Sequence, residues 1–354
     1  MRCPVNKRLF ATVTLTALVA CLGPGSGPGP DPDDDSAEVD AGVPVVEELP
    51  PLGDGVGTLS GASTAGRTDG RRGVARFANP VNVAVGADGG LVVCDFDNGL
   101  LRVVGADGDT TTPFTLPAGF ARPFGLVRNG GTLWVQTDRA TTGAPTGALW
   151  RVSLADHRIS LVRDGFGRFR GLGVLSDGRL VGADYQQHVV SIIDPATGAA
   201  TPLAGAANQA GKLDATGSAA RFDTPYDLLV LPGDDVVIAD QGNHVLRKVS
   251  LDGSVVTLAG TFASPQGLAR DGLGRIYVSD PATATISRIA TDGTISVIAG
   301  AGIPGHKDDA DPRAAMFFGL EGIDVSVDGS HLYVADGSGG EDLPYHRVRR
   351  LSLR

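Results

Sequence analysis

The sequence predicts an all-β fold: a six-bladed β-propeller of four-stranded antiparallel blades, its ring closed by an N-terminal strand that completes the last blade. Three observations predict it. Six segments repeat a spacing of fifteen or sixteen residues between a leading residue, most often Pro, and an Asp. Each interval holds two apolar runs around a short turn, and two further runs follow; four strands in roughly 40–55 residues is the size of one propeller blade. The last unit lacks its fourth run, and a matching run stands near the start of the chain.

The first element lies outside the ring. Arg2, Lys7 and Arg8 precede an apolar run over residues 9–20, short for a bilayer-spanning helix. It ends Leu18-Val19-Ala20-Cys21, which resembles a bacterial lipobox. The resemblance implies a lipoprotein signal peptide over residues 1–21, with Cys21 lipidated after cleavage; an ordinary signal peptide is the other reading of these residues. Residues 22–56 are rich in Pro, Gly and Asp and carry no apolar period. Such a segment buries too little surface to offset the entropy of ordering, so a flexible tether is expected. Leu22, where the enterobacterial sorting pattern would place Asp for inner-membrane retention, points to the outer membrane. The expected address is an exported protein, lipid-anchored to the cell envelope.

The ring is expected over residues 57–354. Pro80 and Asp95, Pro123 and Asp138, Phe169 and Asp184, Pro225 and Asp240, and Pro265 and Asp280 are each fifteen apart; Leu320 and Asp336 are sixteen apart. The turns between include Asp88-Gly89, Asn129-Gly130, Asp177-Gly178 and Asp328-Gly329, pairs that accept positive φ and favour hairpins. The third strand reads His244-Val245-Leu246-Arg247-Lys248-Val249, and the fourth Val255-Val256-Thr257-Leu258-Ala259-Gly260. Thr58-Leu59-Ser60-Gly61 repeats that fourth strand and should complete the last blade, removing an exposed sheet edge.

The run Asp240-Gln241-Gly242-Asn243-His244-Val245-Leu246-Arg247-Lys248-Val249, with its Pro-x-Asp-Leu start and the Ala219-Ala220-Arg221-Phe222 lead-in, resembles an NHL repeat. The whole chain then resembles a bacterial NHL-repeat lipoprotein. The likeness is strongest in blade 4 and weakest in blade 2, where the His is missing and the loop at 140–147 is long.

Composition bounds the function. Gly, at 51 of 354 residues, is about twice its average usage, as many tight turns require. A formal net charge of −10 argues against a nucleic-acid partner, which needs excess Lys and Arg. Cys3 would leave with the leader and Cys21 would be acylated, so Cys94 remains alone, without an intramolecular disulfide partner. It stands where other repeats carry Ala, Ser or Thr, and reads as a small core residue.

Long connections at 62–79, 206–224 and 301–319, with loops at 139–147 and 337–345, fall on one face, where binding resides in such rings. Three of them carry a central acid, Asp69, Asp214 and Asp308, which suggests repeated structural turns. The six repeat acids should brace turns, since a catalytic residue is needed once and a brace in every blade. The residue after each Pro-position should face the channel mouth: Val81, Phe124, Arg170, Tyr226, Gln266 and Glu321. Of these Phe124, Arg170, Tyr226, Gln266 and Glu321 form a candidate site for a small polar ligand, with Arg170 and Glu321 a solvated pair across the channel. Amidating lyases with NHL-like blades place zinc-binding His at this position, and none of the six is His. Lactonase-type propellers gather acidic and amide metal ligands around the channel, for which Glu321, Asn82 and Asp227 are partial counterparts. The expectation is a monomeric, non-catalytic binding module without metal or cofactor, serving an envelope protein or a small polar ligand. A channel-mouth metal-dependent hydrolase or lyase of the lactonase-like type is the alternative.

Overall fold

A computed structural model of the protein describes residues 46–258, 260–337 and 344–353. The leader with Cys21, most of the expected tether, Ala259 and most of the loop at 337–345 lie outside the described residues. Strand β1 (Val56–Ala62) comes first. Blade 1 follows with β2 (Pro80–Val85), β3 (Leu91–Asp95), β4 (Leu100–Val104) and β5 (Thr110–Thr111). Blade 2 holds β6 (Pro123–Asn129), β7 (Thr132–Thr137), β8 (Ala148–Ser153) and β9 (Ile159–Asp164). In blade 3 the strands are β10 (Phe169–Val174), β11 (Leu180–Asp184), β12 (Val189–Ile193) and β13 (Ala200–Gly205). Blade 4 contains β14 (Pro225–Val230), β15 (Val236–Asp240), β16 (Val245–Val249) and β17 (Val255–Thr257). Blade 5 contains β18 (Leu268–Arg270), β19 (Ile276–Asp280), β20 (Thr285–Ile289) and β21 (Ile295–Ala299). Blade 6 has β22 (Gly319–Val325), β23 (His331–Gly337) and β24 (His346–Ser352), with β1 as its fourth strand. All six sheets are four-stranded and antiparallel, as the repeats predict.

A blade has two apolar faces and can cover neither alone, so the core is divided among the junctions. Phe169 and Leu180 pack against Trp134 and Leu149 between blades 2 and 3, and Phe222 with Ile238 against Val181 and Val190 between blades 3 and 4. Between the last blade and the first, Leu59, Tyr333 and Val348 meet Phe77, Val83 and Val93. The ring is therefore closed by apolar packing as well as by pairing. The pairing runs Val56↔Leu351, Thr58↔Arg349 and Ala62↔His346. Residues 46–55, expected in the tether, lie against the ring: Glu47 pairs with Arg347 at 2.7 Å, and Arg72 donates to the Leu49 and Pro50 carbonyls.

Blades 1, 4 and 6 carry one repeated brace, built on the third-strand Arg. Arg247, fully buried, binds Asp240 at 2.8 Å and Asp214 at 2.6 Å, and lies over Phe222. Arg102 does the same with Asp95, Asp69 and Phe77, and Arg349 with Asp336, Asp308 and Phe317. The loop acids Asp69, Asp214 and Asp308 in turn accept the N–H and hydroxyl of Thr112, Thr257 and Thr58. Thr58 belongs to β1, so the N-terminal strand supplies to blade 6 the contact that the fourth strand supplies elsewhere. The repeat His residues act at the junctions: His188 Nδ1 accepts the Thr224 N–H and His346 Nδ1 the Asn79 N–H, each from the next blade's lead-in.

Candidate functional site

The inner strands line a central channel with a cavity at each end. On the short-turn face a cavity of about 660 Å³ is walled by apolar side chains such as Val85, Leu229 and Val325. On the long-loop face a cavity of about 500 Å³ is more polar, and the structure brings all six rim positions into it: Val81, Phe124, Arg170, Tyr226, Gln266 and Glu321. Their convergence follows from phase, because each sits where its inner strand enters the sheet. The next position is Gly in four blades, and close approach requires it. A Cβ at Gly267 would stand 2.2 Å from the Glu321 carbonyl oxygen, and one at Gly322 2.2 Å from Asn82 Oδ1.

Arg170 and Glu321, expected to face each other directly or across a gap, are not in direct ion-pair contact, and both are half-buried. Arg170 lies over the Phe124 ring at 3.7 Å, with Tyr185 at 5.1 Å and Tyr226 at 5.2 Å. Its guanidinium donates to Tyr226 Oη at 3.2 Å and to Asp138 Oδ2 at 3.1 Å. Glu321 also interacts with Tyr226, which therefore acts on both charged groups. Burial pushes the Glu321 carboxyl up to about 7, against the pull of Arg170. Desolvation likewise raises the Tyr226 phenol, which stays neutral. Glu321 Oε2, Gln266 Oε1 and Asp138 Oδ1 are buried without a hydrogen-bond partner, a condition that is costly in a closed interior.

Asp138 departs from expectation. Five of the repeat acids do brace turns: Asp95, Asp184, Asp240, Asp280 and Asp336 accept backbone N–H groups from neighbouring loop residues. Asp138 instead receives both Arg168 and Arg170 on one oxygen. The reason is register. Blade 1 pairs Pro80 with Asp95, but blade 2 pairs Pro123 with Thr137, because the turn between Asn129 and Thr132 is only two residues long. Thr137 takes the brace position, accepting the Trp150 indole N–H at 3.0 Å. Asp138 is moved into the phase of Phe96, Tyr185, Gln241 and Pro281, all of which line the cavity. Those residues, with Arg168, were missed in the sequence; the signal was their variety at one repeat position, the same sign that marked the rim.

Asn82 and Asp227 are not free to hold a metal. Asn82 donates to the Phe124 carbonyl and accepts the Val83 N–H. Asp227 accepts the Leu228 and Leu268 N–H groups, stitching blade 4 to blade 5. Among the described residues no three His, Cys, Asp or Glu side chains come close enough to hold a metal ion. Cys94 is fully buried, and burial raises its thiol, in keeping with a core role.

No protein-family model matches the chain, and no curated protein does. Solved structures do. A structural-genomics protein of unknown function from Bacteroides thetaiotaomicron is similar with a TM-score of 0.66 at 18% identity, over 84% of this chain and 75% of that one. An auxiliary nutrient binding protein from the same organism gives 0.64 at 14%, over 83% and 75%. Virginiamycin B lyase from Staphylococcus aureus gives 0.52 at 14%, over 78% and 96%. Likeness at this identity shows the fold, and the fold carries both binders and enzymes.

Proposed function

We propose that this chain is an envelope-tethered propeller, anchored through Cys21, that binds a small polar ligand in its long-loop-face cavity without transforming it. The observation that carries this reading is the cavity itself. Its volume is within the range of small-molecule sites, it is built from six different rim residues, and it holds polar atoms that the protein leaves without partners. A repeated structural role would call for the same residue in each blade. The nutrient binding protein among the structural neighbours agrees with this reading. One feature favours catalysis instead: a carboxyl held near 7, as Glu321 is, suits general acid–base work.

The test is to pass a small-molecule extract of envelope over the immobilised full chain and identify retained compounds by mass spectrometry. A compound held by the wild type, lost by Arg170→Gln and recovered unchanged supports binding. Recovery of a chemically altered product, or a stoichiometric divalent ion lost with Glu321→Gln, moves the assignment to the enzyme. Equal retention by the wild type and Arg170→Gln removes the cavity as the site.

A further inference from the structure

The cavity's charges are unevenly partnered, and this constrains what it binds. Arg122 and Asp97 at the outer edge pair at 3.3 Å and cancel. Deeper in, Arg168 and Arg170 converge on one oxygen of Asp138. The Nε of each is buried without an acceptor. The remaining acids are Glu321, which interacts with Arg170, Tyr226, Asp138 and Asp97, and Asp184, which interacts with Arg168 and accepts the Gln186 and Gln187 N–H groups. Desolvation, with two acids among its neighbours, pushes the Glu321 carboxyl up to about 7, so it is largely protonated below that pH. Whenever Glu321 is neutral, the only carboxylate acting on Arg170 is Asp138, whose one oxygen it shares with Arg168. The half-buried rings of Tyr185, beside Arg168 and Arg170, and of Phe318, elsewhere in the cavity lining, offer flat apolar surface, Phe318 being stacked on Tyr345 at 4.3 Å.

We propose that the ligand is a small carboxylate with a planar or apolar body, its anionic group compensating the Arg168–Arg170 pair and its body lying against Tyr185 and Phe318. This rests on the reading of the cavity as a ligand site and gives that ligand its chemical class. The proton balance follows. An anion beside Arg168 and Arg170 disfavours ionised Glu321, so the protonated form is the one that binds, and the complex takes up a proton wherever free Glu321 is ionised. A cationic ligand would do the reverse, and a neutral polyol would show little linkage.

Three probes of one shape and different charge separate these cases: benzoate, benzamide and benzylammonium, titrated into the full chain by calorimetry and followed by NMR. Benzoate should bind at least about tenfold more tightly than the other two, one charge interaction in a desolvated site being worth that much. Its affinity should fall about tenfold from pH 6 to pH 8, the loss expected when the competent form has a pKa near 7. Glu321→Gln, which fixes a neutral side chain, should keep benzoate binding and flatten its pH dependence; Arg168→Gln should weaken benzoate and leave benzamide unchanged. Preference for benzamide or benzylammonium, or benzoate affinity that is flat or rises with pH in the wild type, overturns the carboxylate assignment while leaving a ligand site. If no probe shifts a cavity resonance at millimolar concentration, both the assignment and the site are overturned.

Discussion

Removing the N-terminal strand tests how the ring is held. A chain beginning at Gly66 lacks β1, whereas one beginning at Val46 keeps it. Val56 and Leu59 are 3% and 0% exposed, and burying each contributes about 1.5–3 kcal/mol. Their loss alone therefore costs about 3–6 kcal/mol, an upper estimate because the unfolded chain already buries some apolar surface. The deletion also strips Thr58 from Asp308 and leaves β24 as an open edge. At about 2 °C per kcal/mol, the low end of the range for large domains, melting should drop by about 6–12 °C. Thermal unfolding followed by circular dichroism reads this directly. A synthetic peptide of residues 46–65 should restore most of the loss, and the same peptide with Leu59→Asp should not. Identical melting of the two chains would refute the closure argument, since it would mean that β1 adds nothing to blade 6.

Arg247→Met leaves Asp240 buried without its cation and should cost about 3–5 kcal/mol in chemical denaturation; a change within error would mean that the brace is not needed. Burial pushes Glu321 and Asp227 up to about 7 and Asp324 to about 6. Folded-state values raised in this way contribute stability that is fully present below the unfolded carboxyl range and lost as pH rises through the folded values. Melting temperature should therefore decline from about pH 6.5 to 8, above the range where the depressed His306 acts in the opposite sense, and Glu321→Gln should remove part of the slope. A melting temperature that rises across that window refutes it. Cys21→Ser should abolish palmitate incorporation and leave the melting curve unchanged; equal labelling of both proteins removes the anchor.

What the sequence made legible, and what it hid, have the same cause. A ring of repeats assigns every position six times, so hairpin turns, the closing strand and the braces could be read from agreement between blades. Thr58 was recognisable as a fourth-strand residue because Thr257 has the same neighbours, and the structure gives both the same loop-acid partner. The rim was found by disagreement at a fixed phase, as Arg170, Tyr226 and Glu321 differ where a scaffold would repeat. Asp138 defeated both tests. Its fifteen-residue spacing from Pro123 matches Asp95 and Asp240, but spacing along the chain counts residues and not pairing, and a turn shortened at Asn129 shifts the register without changing the count. Burial was equally invisible: nothing in the composition around Arg170 indicates that three aromatic rings enclose its guanidinium, since Phe124, Tyr185 and Tyr226 come from three different blades. The features the sequence concealed are thus those set by one blade against another, and the cavity chemistry is made of them. A shift of one residue in one hairpin places Asp138 beside Arg168 and Arg170 and sets the charge that the proposed ligand would meet.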